Sequence, residues 1–325
     1  MIIVWIEHQK GKIADAVWEA LTMGRRLAEQ MGQPLAALLA DVPEASGLAD
    51  QLKEYGVSRV WLTGDERLAR WAPQAQAKVL AQLIEQQQPQ VVLAAATDRG
   101  NELLAHLAAR LQLGLATNCT AAHSGDDGFT VTRLRWGGSL LEEARLLSEP
   151  KLLTVALHVN AAEPQPSESI QIEPFAAQLE ERDFLVQMSQ MEPSAHEGVS
   201  LTEAQVVVGG GRGVGSAEGF QSLEELARLL GGAVGGSRVA TNNGWRPHAD
   251  QIGQTGAQIA PELYIACGIS GAIQHIVGCK GAKKILVINK DPEAPFFARA
   301  DYGVVGDLHE IVPALVEAIK RERGD

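Results

Sequence analysis

Cysteine is scarce in this chain. There are three, Cys119, Cys267 and Cys279, in 325 residues. An odd, sparse count does not build a disulfide framework and points to a reducing compartment. Basic residues are in deficit as well: 28 Lys and Arg stand against 40 Asp and Glu, so 28 − 40 = −12. A surface short of cations is poorly suited to nucleic-acid phosphates or to anionic lipid. A local basic site for an anionic cofactor stays open. No apolar run reaches the roughly 20 residues that cross a bilayer. The opening Met1-Ile-Ile-Val-Trp-Ile-Glu7 lacks the basic segment and small-residue cleavage site of a secretory signal. The expectation is a cytoplasmic protein with no nucleic-acid partner and no stable membrane insertion.

What is present is an ordinary globular composition, 46% hydrophobic and 21% charged, on a chain long enough for two domains. In the first half, continuous apolar runs at 2–6, 35–40, 57–62 and 91–96 alternate with helically spaced segments at 15–31, 75–84 and 101–111. Buried strands separated by amphipathic helices predict parallel βαβ units. From 129 to 157 the helical spacing fades, and an antiparallel addition is expected around Gly137-Gly138. Residues 161–200 carry eight acids, one Arg and four prolines, which reads as an exposed interdomain connection. Glycine usage changes across it, 12 in 1–197 against 21 in 198–325. These features place a boundary near 193. The expected domains are therefore 1–193 and 194–325, the second again α/β, with strands at 204–208, 263–266, 285–288 and 302–305 and helices at 223–230 and 311–320.

Two regions carry candidate chemistry. Gln205-Val-Val-Val-Gly-Gly-Gly-Arg-Gly-Val-Gly-Ser216 reads as strand, glycine turn and helix, where backbone N–H groups and Arg212 could meet a phosphate. The strict dinucleotide spacing fails, since Val214 or Ser216 falls where the third Gly belongs, and no Lys follows Gly215 as a triphosphate loop requires. A tight connector with no ligand is the alternative. The second region, 236–275, crowds small residues, amides and hydroxyls into three turns: Ser237-Arg238, Gln251-Ile-Gly-Gln-Thr-Gly256 and Cys267-Gly-Ile-Ser-Gly-Ala-Ile-Gln-His275. In an open α/β sheet, turns at strand C-termini form the ligand crevice. The alternative is three structural loops capping themselves. Neither region offers a general acid–base pair or a nucleophile with its base. The pairs His275/Cys279 and Cys119/His123 lack further metal ligands at suitable spacing. The tryptophans at 5, 18, 61, 71 and 136 read as core, and Trp245 as packing against a cofactor loop.

Gln251 to His275, together with Val287-Ile-Asn-Lys-Asp-Pro-Glu-Ala-Pro295 and Ala300-Asp-Tyr-Gly-Val-Val-Gly-Asp-Leu308, resembles the α subunit of electron-transfer flavoproteins. Arg135-Trp-Gly-Gly-Ser139 and Glu149-Pro-Lys-Leu-Leu-Thr-Val155 extend the resemblance into the first half. It implies a Rossmann-like C-terminal FAD-binding domain. It further implies a heterodimer with a β subunit through the N-terminal α/β domain, and an electron carrier rather than an enzyme, working between flavin dehydrogenases and an acceptor. Carried over by motif, the FAD contacts are Arg212, Ser237, Arg238, Ile252, Gly253, Gln254 and Thr255. They continue with Ser270, Gly271, Ala272, Ile273, Gln274, His275, Asn289, Asp307 and Leu308. The resemblance puts Thr255 by flavin N5, His275 by the N1/O2 edge and Arg238 over or beside the ring. Asn242 stands where many members carry Asp. The competing reading is an NAD(P)-binding oxidoreductase domain, which shares the ADP half of the cofactor and the physics of the glycine turn.

Overall fold

Strands apolar at every position need cover on both faces, because successive side chains leave a strand in opposite directions. The computed structural model describes residues 1–9, 11–40, 46–136, 138, 140–190, 200–202 and 204–323. The chain divides into two compact units, Met1–Met191 and Glu192–Asp325, and each unit supplies that cover.

The first unit begins with β1 (Ile2–Trp5), the small hairpin β2 (His8–Gln9) and β3 (Lys12–Ile13), then α1 (Asp15–Met31), β4 (Leu35–Ala40), α2 (Ser46–Lys53) and β5 (Arg59–Thr63). It continues with α3 (Pro73–Gln87), β6 (Val91–Ala95), α4 (Asp98–Leu111), β7 (Leu115–Gly125), β8 (Gly128–Arg135), β9 (Leu140–Leu146), β10 (Lys151–Val155) and β11 (Gln171–Pro174). One nine-stranded sheet results, in the order β11-β5-β4-β1-β6-β10-β7-β8-β9. It is parallel as far as β7, and β8 and β9 add antiparallel strands. Ile2 and Val4 join α1 and α2 on one face, while Ile3 and Trp5 join α3 and α4 on the other. Gly32 ends α1 in the left-handed conformation, φ 61°, where a Cβ is unfavourable. The Thr97 hydroxyl accepts from the Gly100 N–H and starts α4 three residues before the expected 101.

The acidic stretch proves to be more than a connection. Its β11 pairs in parallel with β5 as an edge strand, and Phe175 and Phe184 are buried. Lys78 holds the buried Asp183 at 2.7 Å, and Arg26 holds Glu163 at 2.8 Å. The local charge excess misleads because its cations lie on α1 and α3, more than a hundred residues away. The expected boundary at 193 falls outside the described residues, as do Gly137 and Ser139 of the β8–β9 connection. Trp136, expected in the core, is 80% exposed, since it lies beyond β8, past the last residue that sheet pairing buries.

The second unit is β12 (Val206–Gly210), α5 (Gln221–Leu229), β13 (Ala233–Gly236), α6 (Arg238–Asn242), β14 (Leu263–Cys267), α7 (Ile273–Gly278), β15 (Lys284–Asn289), β16 (Tyr302–Val305) and α8 (Leu308–Arg323). Its sheet is wholly parallel in the order β13-β12-β14-β15-β16. The chain therefore winds both ways from β12, and a crevice opens between the C-terminal ends of β12 and its neighbours. Helices α5 and α8 cover Val208, Ile265 and Ile288. Ile252, Ile259 and Phe296 cover Val207, Tyr264 and Val287 on the opposite face.

Candidate functional site

The crevice is real: a cavity of about 490 Å³ lies at the C-terminal edge of the second sheet. Arg212 and Gly213 reach it from the turn after β12, Ser237 from the end of β13, and Arg238 and Val239 from the first turn of α6. Gly268, Ile269 and Ser270 come from beyond β14, and Asn289, Asp291 and Ala294 from beyond β15. The loop Gln251 to Thr255 and the segment Ala272, Gln274, His275 close the remaining side.

Backbone pairing sets this loop. Gly236 at the end of β13 bridges to Gln251, and Ile252 to Ala257. The Gln254 N–H donates to the Gln274 carbonyl at 2.8 Å, and the Ile259 N–H to that of Gly278 at 2.7 Å. The loop is thereby fastened to α7. Gly253, at φ 150°, takes a backbone conformation that other residues adopt at a cost. Gln251, buried, accepts from the Thr241 hydroxyl and donates through Nε2 to Thr255 Oγ1, both at 2.9 Å. Thr255 Oγ1 thus spends an acceptor site inward, and its own hydrogen stays available to the cavity. Asn289 donates to the Ile269 carbonyl at 3.0 Å and holds the ends of β15 and β14 together.

The electrostatics suit an anionic, polar ligand. Arg212 and Arg238 line the cavity and form no ion pair among the described residues. Ser237 Oγ and His275 Nδ1 are buried without a hydrogen-bond partner, a state that costs stability unless a ligand completes it. His275 is 6% exposed. Burial lowers its pKa to about 4, and the Ile252 backbone opposes that shift without reaching hydrogen-bond geometry at Nδ1. The ring is therefore neutral near pH 7. Its other nitrogen, Nε2, lies 2.8 Å from the Tyr264 hydroxyl. These features fit FAD, whose pyrophosphate calls for cations and whose ring presents several acceptors.

The glycine turn lends the cavity Arg212 and Gly213 and is otherwise spent largely on bonds within the protein. Helix α5 begins only at Gln221, after two short 3₁₀ turns at Arg212–Val214 and Glu218–Phe220. The N–H groups of Gly211, Gly213, Val214 and Gly215 already donate to protein carbonyls. With those four amides spent, the Arg212 side chain is the turn's main offering to the cavity. A Cβ on Gly209 would collide with the Tyr264 hydroxyl, and one on Gly213 with the Gly268 backbone. These glycines serve packing.

Of the sixteen residues named from the resemblance, twelve line the cavity and four do not. Gly271 lies buried against the Phe296 backbone, and Ile273 is 71% exposed at the start of α7. Asp307 caps α8 by accepting from the His309 N–H and pairs with Lys290 at 2.7 Å, which holds its carboxyl below the usual range. Leu308 packs in the core beneath Gly268. Gln251 and Tyr264 escaped the sequence reading as supports of the site. Gln251 stood in the quoted motif, but nothing in the sequence signals its bonds. Arg246 escaped it too: this buried cation bonds Asp250 at 2.8 Å and Glu224. It anchors the chain between α6 and Gln251. Among the described residues no group of three His, Cys, Asp or Glu could hold a metal. No helix there is long and apolar enough to cross a membrane.

Residues 2–180 match the family model described as the electron transfer flavoprotein domain. Residues 200–280 match the electron transfer flavoprotein FAD-binding domain. Over its length the chain is similar to the electron transfer flavoprotein subunit alpha of Megasphaera elsdenii, 38% identical across 99% of this chain and 97% of the relative. The subunit of the same name from Bacillus subtilis strain 168 is 38% identical over 98% and 97%. That of Mycobacterium tuberculosis strain H37Rv is 39% identical over 99% of each.

Proposed function

The chain belongs to the electron transfer flavoprotein α-subunit family, and from that premise we propose that it holds one FAD in the cavity of its second unit, joins a β subunit, and passes electrons from flavin dehydrogenases, such as acyl-CoA dehydrogenases, to a membrane or soluble acceptor. The family is one of electron carriers with an FAD-binding domain, not of substrate-converting enzymes. The observation that carries the proposal is the crevice itself. Two arginines and two buried polar atoms that find no partner among the described residues converge there, where a doubly wound sheet takes its ligand.

Bound FAD supplies the redox chemistry, and the chain's residues bind and orient it. Arg212 and Arg238 attract the anionic and electron-rich parts of the cofactor. Ser237 and Thr255 offer hydroxyls, the second held in place by Gln251. His275 offers a neutral ring nitrogen. Residues 194–325 form the FAD-binding domain in this reading, and 1–193 supply the main interface to the β subunit.

The test is co-expression with the β subunit, followed by cofactor extraction and a visible spectrum. FAD in the yellow complex is expected, and NAD alone, FMN alone or no cofactor overturns the assignment. Expressed without its partner, the chain is expected to be low in FAD or poorly soluble. A stable, fully flavinated monomer overturns the interface role.

A further inference from the structure

The Tyr264 side chain is wholly buried, and its hydroxyl meets one partner, His275 Nε2, at 2.8 Å. Such a pair can share its hydrogens in two ways. If Nε2–H donates to the phenol oxygen, the phenol's own hydrogen has no acceptor among the described residues, in a place water does not reach. If the phenol donates to Nε2, that hydrogen is satisfied. A neutral imidazole carries one hydrogen, so it must then sit on Nδ1. The second arrangement leaves fewer buried groups unmet and is the favoured one. Burial keeps the phenol protonated and the imidazole neutral.

Packing holds the pair in this orientation. Tyr264, His275 and Phe296 form a cluster of rings with centroids 5.8 to 6.2 Å apart. Gly209 on β12 leaves the space that the Tyr264 hydroxyl fills. Exchanging the ring's nitrogens and carbons would put a carbon against the hydroxyl and lose the bond.

We propose that Tyr264 is a positioning residue that fixes His275 as its Nδ1–H tautomer, so that the nitrogen without a protein partner is a hydrogen-bond donor for the cofactor. This deepens the FAD reading of the cavity and rests on it. A donor there bonds a flavin acceptor and bonds it more strongly as negative charge builds on reduction. The opposite tautomer would present a lone pair and repel the same atom.

The test uses the complete complex with ring-15N histidine, read by long-range proton–nitrogen correlation at pH 7. The His275 signals are identified by their loss in His275→Gln. The expected ring is neutral, protonated on Nδ1 and bare on Nε2. In Tyr264→Phe the single tautomer gives way to Nε2–H or a mixture. The flavin potential falls while most FAD is retained. A wild-type ring protonated on Nε2 overturns the proposal, whether or not the variant folds. So does a Tyr264→Phe complex with tautomer and potential both unchanged. Failure of the FAD reading shows separately, as a colourless protein in which the His275 tautomer is still measured.

Discussion

Acid should weaken the second unit of this protein through one residue. His275 has a pKa lowered by burial to about 4, against the ordinary 6.5. Between those values the unfolded chain binds a proton that the folded chain refuses. Stability therefore rises with pH across this window, and it is lost as pH falls from about 6.5 towards 4. Taken in full, the difference corresponds to about 3 kcal/mol, of which roughly 2 kcal/mol is gone by pH 5. The perturbation that isolates it is His275→Gln, which keeps an acceptor for the Tyr264 hydroxyl and cannot titrate. Other groups titrating in the window are common to both proteins and cancel in the comparison. A chain of two units does not unfold in one step, so the readout must be local. Amide exchange of β12, β14 and β15, corrected for intrinsic rates, supplies it. Between pH 7.5 and 5 the wild type is expected to lose about 30-fold more protection than the variant, the equivalent of about 2 kcal/mol. Parallel profiles would refute the reasoning, and a His275 ring titrating near 6.5 by NMR would refute it at its source.

Arg212→Ala removes a charge-assisted contact worth roughly 1.5–3 kcal/mol, so FAD is expected to bind about tenfold to a hundredfold more weakly at nearly unchanged potential. Equilibrium dialysis checks this, and unchanged affinity means the turn only connects. Arg246→Met takes the facing cation from Asp250 inside the protein. Breaking a buried pair in this way costs about 3–5 kcal/mol; denaturant titration of the flavinated complex reads the loss. Gly209→Ala forces a methyl onto the Tyr264 hydroxyl and is expected to cost about 1–3 kcal/mol through overpacking. A thermal midpoint equal to wild type would show that the ring moves aside freely.

Much of this was legible in the residues. Apolar runs and helical spacing located α1 and β4 to the residue, because each signal is local and repeats within a few positions. The long motifs from Gln251 to Leu308 identified the family and its FAD-binding half. The strand β7, Leu-Ala-Thr-Asn-Cys-Thr-Ala-Ala-His-Ser-Gly, was not legible. Half-buried and polar along much of its length, it owes its state to β8 and β10 beside it. The edge strand β11 was hidden in an acidic stretch whose counter-ions lie on distant helices. At the site, sequence named the loops that converge, and tertiary structure decided what each residue does there. It turned four of the glycine turn's amides inward, left Asp307 to Lys290, and set His275 against Tyr264. Residue type and spacing determine what a side chain can donate, accept or carry. Burial and the partners that arrive from elsewhere in the chain set its charge and its free valence, and those exist only once the sheet has brought its strand ends together.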